Sequence, residues 1–199
     1  MSSGLGIRQK KSIKSLRRHL GGVRVKKLVF NATPLIYLTK IGLSRIFEEL
    51  KDEKLTSLSV KREVVDEGKR KGVADAIILD KLFLKGVFKI VEPRDKDFLE
   101  SLLQTRGLHV SDAEVLTIAK EHGGTAIIDD EVARKTAKIY GISYAGTPYI
   151  LAKAVSEEII TREKAKQAIN EMIYAGWRCS IETYAKIMET IEKLGKSRR

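Results

Sequence analysis

The sequence predicts an α/β domain in which short parallel strands alternate with helices, and three observations carry that prediction. Compact apolar runs such as VKKLVF (25–30) and TAIID (125–129) are strand-like. The stretches between such runs repeat apolar residues at helical spacing, and the two kinds alternate along the chain. Alternation of this kind places a parallel sheet between two layers of helices.

VKKLVF runs straight into NATPLIYLTKIG, where Thr33 is placed to cap a helix and Pro34 to sit in its first turn. Gly42 interrupts the pattern, and Leu43, Ile46, Phe47 and Leu50 restore it on a second short helix. LTSLS (55–59) is the second strand, followed by a helix over 60–71. Another helix carries Ala74, Ile77, Ile78, Leu82 and Phe83; Gly86 stops it before the strand VFKIVEP, which Pro93 ends. Residues 95–104 form a helix with Phe98, Leu99, Leu102 and Leu103 as its stripe. Ser111 and Glu114 have capping-box spacing at the head of DAEVLTIAKEHGG, and Gly123 ends that helix. TAIID is the most clearly buried strand. A helix over 130–140, a short strand over 142–145 and a helix opened by Pro148 complete the alternation.

From Thr161 the texture changes to two helices, 161–175 and 181–194, joined through GWRCS. Their apolar stripes form a hairpin laid on the sheet domain or on a second subunit, since roughly 35 residues make a poor core alone. The expected organisation is a basic arm (1–24), the α/β domain (25–158), the helical hairpin (159–194) and a basic tail (195–199).

Composition narrows the class. A chain of 199 residues, 43% hydrophobic, holds one substantial core, while three prolines and 32% charged residues argue against a collagenous or disordered chain. No apolar run approaches the roughly 18 residues of a membrane span. The single cysteine, Cys179, makes no internal disulfide, and residues 1–6 lack a signal peptide's apolar segment, so a reducing cytoplasm is the expected location. The net charge of +12 is concentrated: nine basic residues and no acid precede Phe30. Lys10, Lys11, Lys14, Arg17 and Arg18 of this arm are candidates for nucleic-acid contact, because such a segment meets phosphates without reading sequence. A solubilising or subunit-packing terminus is the plainer alternative.

In a parallel α/β fold, ligands gather beyond the carboxyl ends of the strands. Asn31 follows the first strand, Glu63 lies in the helix after the second, Asp112 opens the helix after Ser111, and Asp129 with Asp130 closes TAIID. Several oxygen ligands in one crevice suit Mg²⁺ or Mn²⁺, and a cation relieves the repulsion that raises clustered carboxyl pKa values. Each residue also has a plain structural role: Asp112 in a first helical turn, Glu63 on a charged helix, Asp129 and Asp130 as caps, and Asn31 as a tie between strand and turn. His19, His109 and His122 have no metal spacing with one another, and Cys179, Trp177, Tyr174 and Tyr184 are expected to pack.

These residues carry a family resemblance. VFNATPLIYLTKIG, VKREVVDEG, VSDAEVLTIAKEHG and AIIDDEVARKTAKIYGI, in that order and spacing, resemble the four motifs of PIN domain nucleases, in the prokaryotic branch related to the VapC toxins. The likeness covers residues 25–155. It implies a PIN-like three-layer α/β/α sandwich with a central parallel sheet of about five short strands. It also implies a Mg²⁺ or Mn²⁺ site on Asn31, Glu63, Asp112 and Asp129, with Asp130 competing for the last place, and Asn31 and Thr33 near the scissile phosphate. Most members have aspartate where this chain has Asn31, which removes one negative charge from the site.

The activity so implied is metal-dependent phosphodiester hydrolysis, with RNA as the commonest substrate, DNA as the alternative, and frequent dimerisation. Competing readings are a non-catalytic module that binds RNA or a protein partner, and a toxin held by an antitoxin. A phosphatase or phosphoacceptor domain would place aspartate after the first strand, which Asn31 counts against.

Overall fold

The structure, a computed structural model, describes residues 26–194; the arm residues Lys10, Lys11, Lys14, Arg17 and Arg18, and the basic tail, lie outside the described residues. Leu28, Val29 and Phe30 of strand β1 (Lys27–Phe30) are all fully buried. Successive strand residues point to opposite faces, so three buried neighbours require a sheet covered on both sides. Four more strands join it: β2 (Glu53–Thr56), β3 (Lys89–Ile90), β4 (Thr125–Ile127) and β5 (Tyr144–Ala145). All pairings are parallel, in the order β3-β2-β1-β4-β5, with Leu28 of β1 opposite Lys54 of β2 and Thr125 of β4.

The helices are α1 (Ala32–Lys40), α2 (Arg45–Glu49), α3 (Leu58–Lys61), α4 (Gly68–Arg70), α5 (Ala74–Leu84), α6 (Lys96–Leu103), α7 (Val110–Glu121), α8 (Glu131–Ile139), α9 (Thr147–Ser156), α10 (Arg162–Tyr174) and α11 (Ile181–Lys193). The sheet is flanked by helices, as a PIN-like α/β/α sandwich requires. α7 packs on β1 and β4, and the terminal pair α10 and α11 packs on α9. Phe30, Phe47 and Phe88 meet edge to face, with centroids 5.2–5.6 Å apart, at the centre of the core. β1 and β4 are pressed together where Gly124 precedes β4: a Cβ there would lie 2.9 Å from the Lys27 carbonyl oxygen.

Several local expectations are corrected. Asn31, not Thr33, caps α1, because its side-chain oxygen reaches the Ala32 N–H at 2.7 Å. The second strand ends at Thr56, since Ser57 caps α3 through the Val60 N–H, so LTSLS is half strand and half helix. The last strand starts at Tyr144 rather than at residue 142. Ser111 and Glu114 do not form the box at the head of α7. That helix begins two residues earlier, with His109 rather than Ser111 at its cap position, and its third residue, Asp112, accepts the His109 N–H at 3.3 Å. Between α3 and α4 the chain is π-helical over Arg62–Glu67, and the wider turn buries the adjacent Val64 and Val65 together.

At the amino end of the sheet lies a charged knot. Asp52, 4% exposed, accepts the Lys26 N–H at 3.0 Å and an ion pair from Lys153 at 2.7 Å; Lys153 also holds Glu157 at 2.7 Å. Burial pulls the Lys153 pKa down, but its hydrogen bonds to Asp52 and Glu157 outweigh that and raise it. The Lys54 ammonium donates to the Leu50 and Asp52 carbonyls at 2.7 Å each. The knot ties β2 to α9.

Candidate functional site

At the opposite, carboxyl end of the sheet, the chain leaves β1 toward β2 and β3 on one side, and β4 and β5 lie on the other. The reversal between β1 and β4 is the place where open parallel sheets bind ligands. Asn31 leaves β1 there, and its backbone N–H closes the gap by donating to the Ile127 carbonyl at 3.1 Å. Its side-chain oxygen is taken by Ala32, so its amide nitrogen faces across the gap and donates to Asp112 Oδ1 at 2.5 Å.

Asp112 is 2% exposed, brought in by the first turn of α7. Burial raises its carboxyl above the usual carboxylate range, and the charge of Asp130 raises it further; the His109 N–H and the Asn31 amide act against both. Asp130 is exposed and caps α8 through the Ala133 N–H at 2.8 Å. Asp112 and Asp130 therefore form a like-charged pair across the switch point.

The two aspartates that end β4 part company. Asp129 turns toward β5 and the terminal hairpin, where Oδ1 accepts the Thr147 N–H at 2.9 Å and Oδ2 accepts the Thr147 hydroxyl at 2.5 Å and the Trp177 indole N–H at 3.2 Å. Gly146 is matched to this: a Cβ there would lie 2.6 Å from Asp129 Oδ1. With both oxygens engaged by three donors, Asp129 anchors α9 and the loop before α11, whereas the charge that raises Asp112 is that of Asp130.

The π-helical turn presents Glu63 on the other flank. Its carboxyl is raised chiefly by partial burial and also by Glu67, while the Ser111 hydroxyl and nearby His109 and Lys71 favour its charged form. Glu63 thus reaches the head of α7 through Ser111, one residue from Asp112. Glu114, on the same side of α7 as Ser111, accepts the Ser59 hydroxyl at 2.9 Å, and its other oxygen is buried without a partner. Thr33 is half-buried in the first turn of α1.

His109 is the site residue that sequence reasoning passed over. It is exposed, its N–H reaches Asp112, and its charge favours both the Asp112 and Glu63 carboxylates. The signal was its place three residues before Asp112 rather than any spacing to another histidine. Trp177, expected to pack, is indeed 7% exposed, yet its indole also bonds Asp129.

A family model described as PIN domain, DUF3368, matches residues 27–193, from β1 to the end of α11. The chain belongs to the PIN domain family. Comparison with curated proteins found no match. The PIN fold is a nuclease-type fold, and PIN domains generally use divalent metal ions.

Whether this PIN domain's residues fit such an ion is a question for the donor set. Among the described residues, no three His, Cys, Asp or Glu side chains converge as a metal cage. Asp112 and Asp130 instead form a pair whose repulsion a cation would relieve, with Glu63 nearby. Two carboxylates plus water suit Mg²⁺, which keeps several of its waters and rarely takes an all-protein cage. The Asn31 oxygen is spent on Ala32, so the donors fit one hard cation better than two.

Proposed function

We propose that this PIN domain is a metal-dependent endoribonuclease, with Mg²⁺ or Mn²⁺ held by Asp112 and Asp130 and flanked by Glu63. The observation that carries this reading is Asp112 at the β1/β4 switch point: it is buried, its donors are the neutral Asn31 amide and the His109 N–H, and burial and the charge of Asp130 raise its carboxyl. When bound, the cation supplies an activated water and stabilises the departing oxygen of the phosphodiester. The chain's own residues do the rest. Asp112 and Asp130 would set the position of positive charge, with Glu63, which the Ser111 hydroxyl hydrogen-bonds, flanking them. Thr33, in the first turn of α1, would contact the scissile phosphate, and the exposed His109 lies beside Asp112.

The net charge of +12 and the basic arm favour a polyanionic substrate, RNA before DNA, with phosphate contacts supplying affinity rather than sequence choice. A homodimer in the cytoplasm, alone or held by an antitoxin, is the setting this reading implies; a small gene directly upstream encoding an antitoxin would separate the two cases. No helix among the described residues is long and apolar enough to cross a membrane.

The test is cleavage of end-labelled single-stranded RNA in Mn²⁺. The expected result is fragments bearing 5′-phosphates from wild type and, from Asp112→Asn, RNA binding without cleavage. Equal cleavage by that variant would sink the assignment. A second reading, a non-catalytic PIN module that binds RNA or a protein, is favoured by one observation: the Asn31 amide already satisfies Asp112. RNA binding by wild type with no cleavage in Mg²⁺ or Mn²⁺ would select it.

A further inference from the structure

We propose that Asn31 is a built-in surrogate for the cation: its amide satisfies Asp112 in the metal-free protein and must be displaced before a cation can reach that carboxylate. The proposal rests on the nuclease reading in that the same crevice supplies the cation's place.

Three bonds hold Asn31. Its N–H donates to the Ile127 carbonyl at 3.1 Å, its Oδ1 accepts the Ala32 N–H at 2.7 Å, and its Nδ2 donates to Asp112 Oδ1 at 2.5 Å. The second and third fix the sense of the amide. Turned over, it would set oxygen against oxygen at Asp112 and N–H against N–H at Ala32. The residue expected to lend a cation an oxygen therefore presents a proton donor to the crevice.

Asp112 has little else. It is 2% exposed, and its other oxygen has the longer contact to the His109 N–H, 3.3 Å. A buried carboxylate is tolerated only when paired or hydrogen-bonded, and Asn31 makes the shorter bond. Aspartate at position 31 has nearly the same shape but would bring a carboxylate oxygen to that contact distance, beside the charge of Asp130. Such a crevice repels itself unless a cation is present, whereas with asparagine it closes without one. The chain trades cation affinity for a site that is stable when empty.

The experiment is thermal unfolding of the full chain, in chelator and in saturating Mn²⁺, for wild type, Asn31→Asp, Asn31→Ala and Asp112→Asn. In chelator, both Asn31 variants should unfold below wild type. In Mn²⁺, Asn31→Asp should gain more than wild type by about 3–6 °C, equivalent to about tenfold in affinity. Should Asn31→Asp fail to fold in chelator, Asn31→Ala, which removes the donor and adds no charge, must still gain more from Mn²⁺ than wild type does. A Mn²⁺ gain present in wild type, lost in Asp112→Asn and no larger in the Asn31 variants overturns the proposal alone. No Mn²⁺ gain in any of the proteins, Asn31→Asp included, overturns both the proposal and the metal reading.

Discussion

The two ends of the sheet each bury an aspartate, and they treat it in opposite ways. At the amino end, Asp52 meets Lys153 at 2.7 Å, and Lys153 in turn meets Glu157, so charges of opposite sign alternate. At the carboxyl end, Asp112 faces Asp130 and has a neutral amide and a backbone N–H as its donors. Burial alone does not distinguish scaffold from site here, since Asp52 is 4% and Asp112 2% exposed. The sign of the neighbours does. A compensated knot lowers the cost of its own burial, whereas a buried carboxylate beside a like charge, with the exposed His109 as the charge that eases it, is kept at a cost that a cation would relieve.

The sharpest way to break the comparison is to unbalance the compensated end. Lys153→Ala should leave Asp52 buried without its partner and lower the melting temperature by about 10 °C, from a loss of roughly 3–5 kcal/mol. A drop of only a degree or two, seen by differential scanning calorimetry, would mean that the knot is not compensating Asp52. Gly146→Ala should cost less, about 2–3 kcal/mol, because the added Cβ meets Asp129 Oδ1 at 2.6 Å and forces the Thr147 and Trp177 contacts apart. Trp177 fluorescence should shift with it, and an unchanged spectrum would place the tie elsewhere.

The smallest effect has the opposite sign. Asp130→Asn keeps a side-chain cap on α8, because asparagine caps as well as aspartate, yet removes the charge facing Asp112. Asp112 is raised in the folded protein, so it disfavours folding at every pH above its unfolded pKa of about 3.9, increasingly up to its folded value. Relieving part of that shift should raise the melting temperature at pH 7 by about 1–2 °C, with the gain fading as the pH falls toward 4. A gain that persisted in acid would have to come from somewhere other than Asp112.

These contrasts were unequally legible in the sequence. The alternation of VKKLVF and TAIID with amphipathic stretches announces a parallel sheet because burial on both faces needs continuous apolar strands, and the order of motifs pointed to the family. Asn31, Glu63, Asp112 and the Asp129–Asp130 pair were visible as polar residues where such sheets bind ligands. The choice between the two adjacent aspartates was not, because it depends on Thr147 and Trp177, which lie 18 and 48 residues away. Nor was the amide of Asn31 legible as a donor to Asp112, a contact across 81 residues. The π-helical turn that presents Glu63 has no composition of its own, and a helical period drawn through Val64 and Val65 assigns one of them to solvent. The burial of Asp52 was not legible either, because its partner Lys153 is supplied by α9.

The most direct test of the central claim is a Mn²⁺ titration by calorimetry at fixed salt, on wild type, Asp112→Asn and Lys153→Ala, each at a temperature where it is folded. If the uncompensated carboxyl end is the cation site, wild type and Lys153→Ala should bind with similar affinity and Asp112→Asn should not bind. Binding that survives in Asp112→Asn, or is lost in Lys153→Ala, would contradict the account.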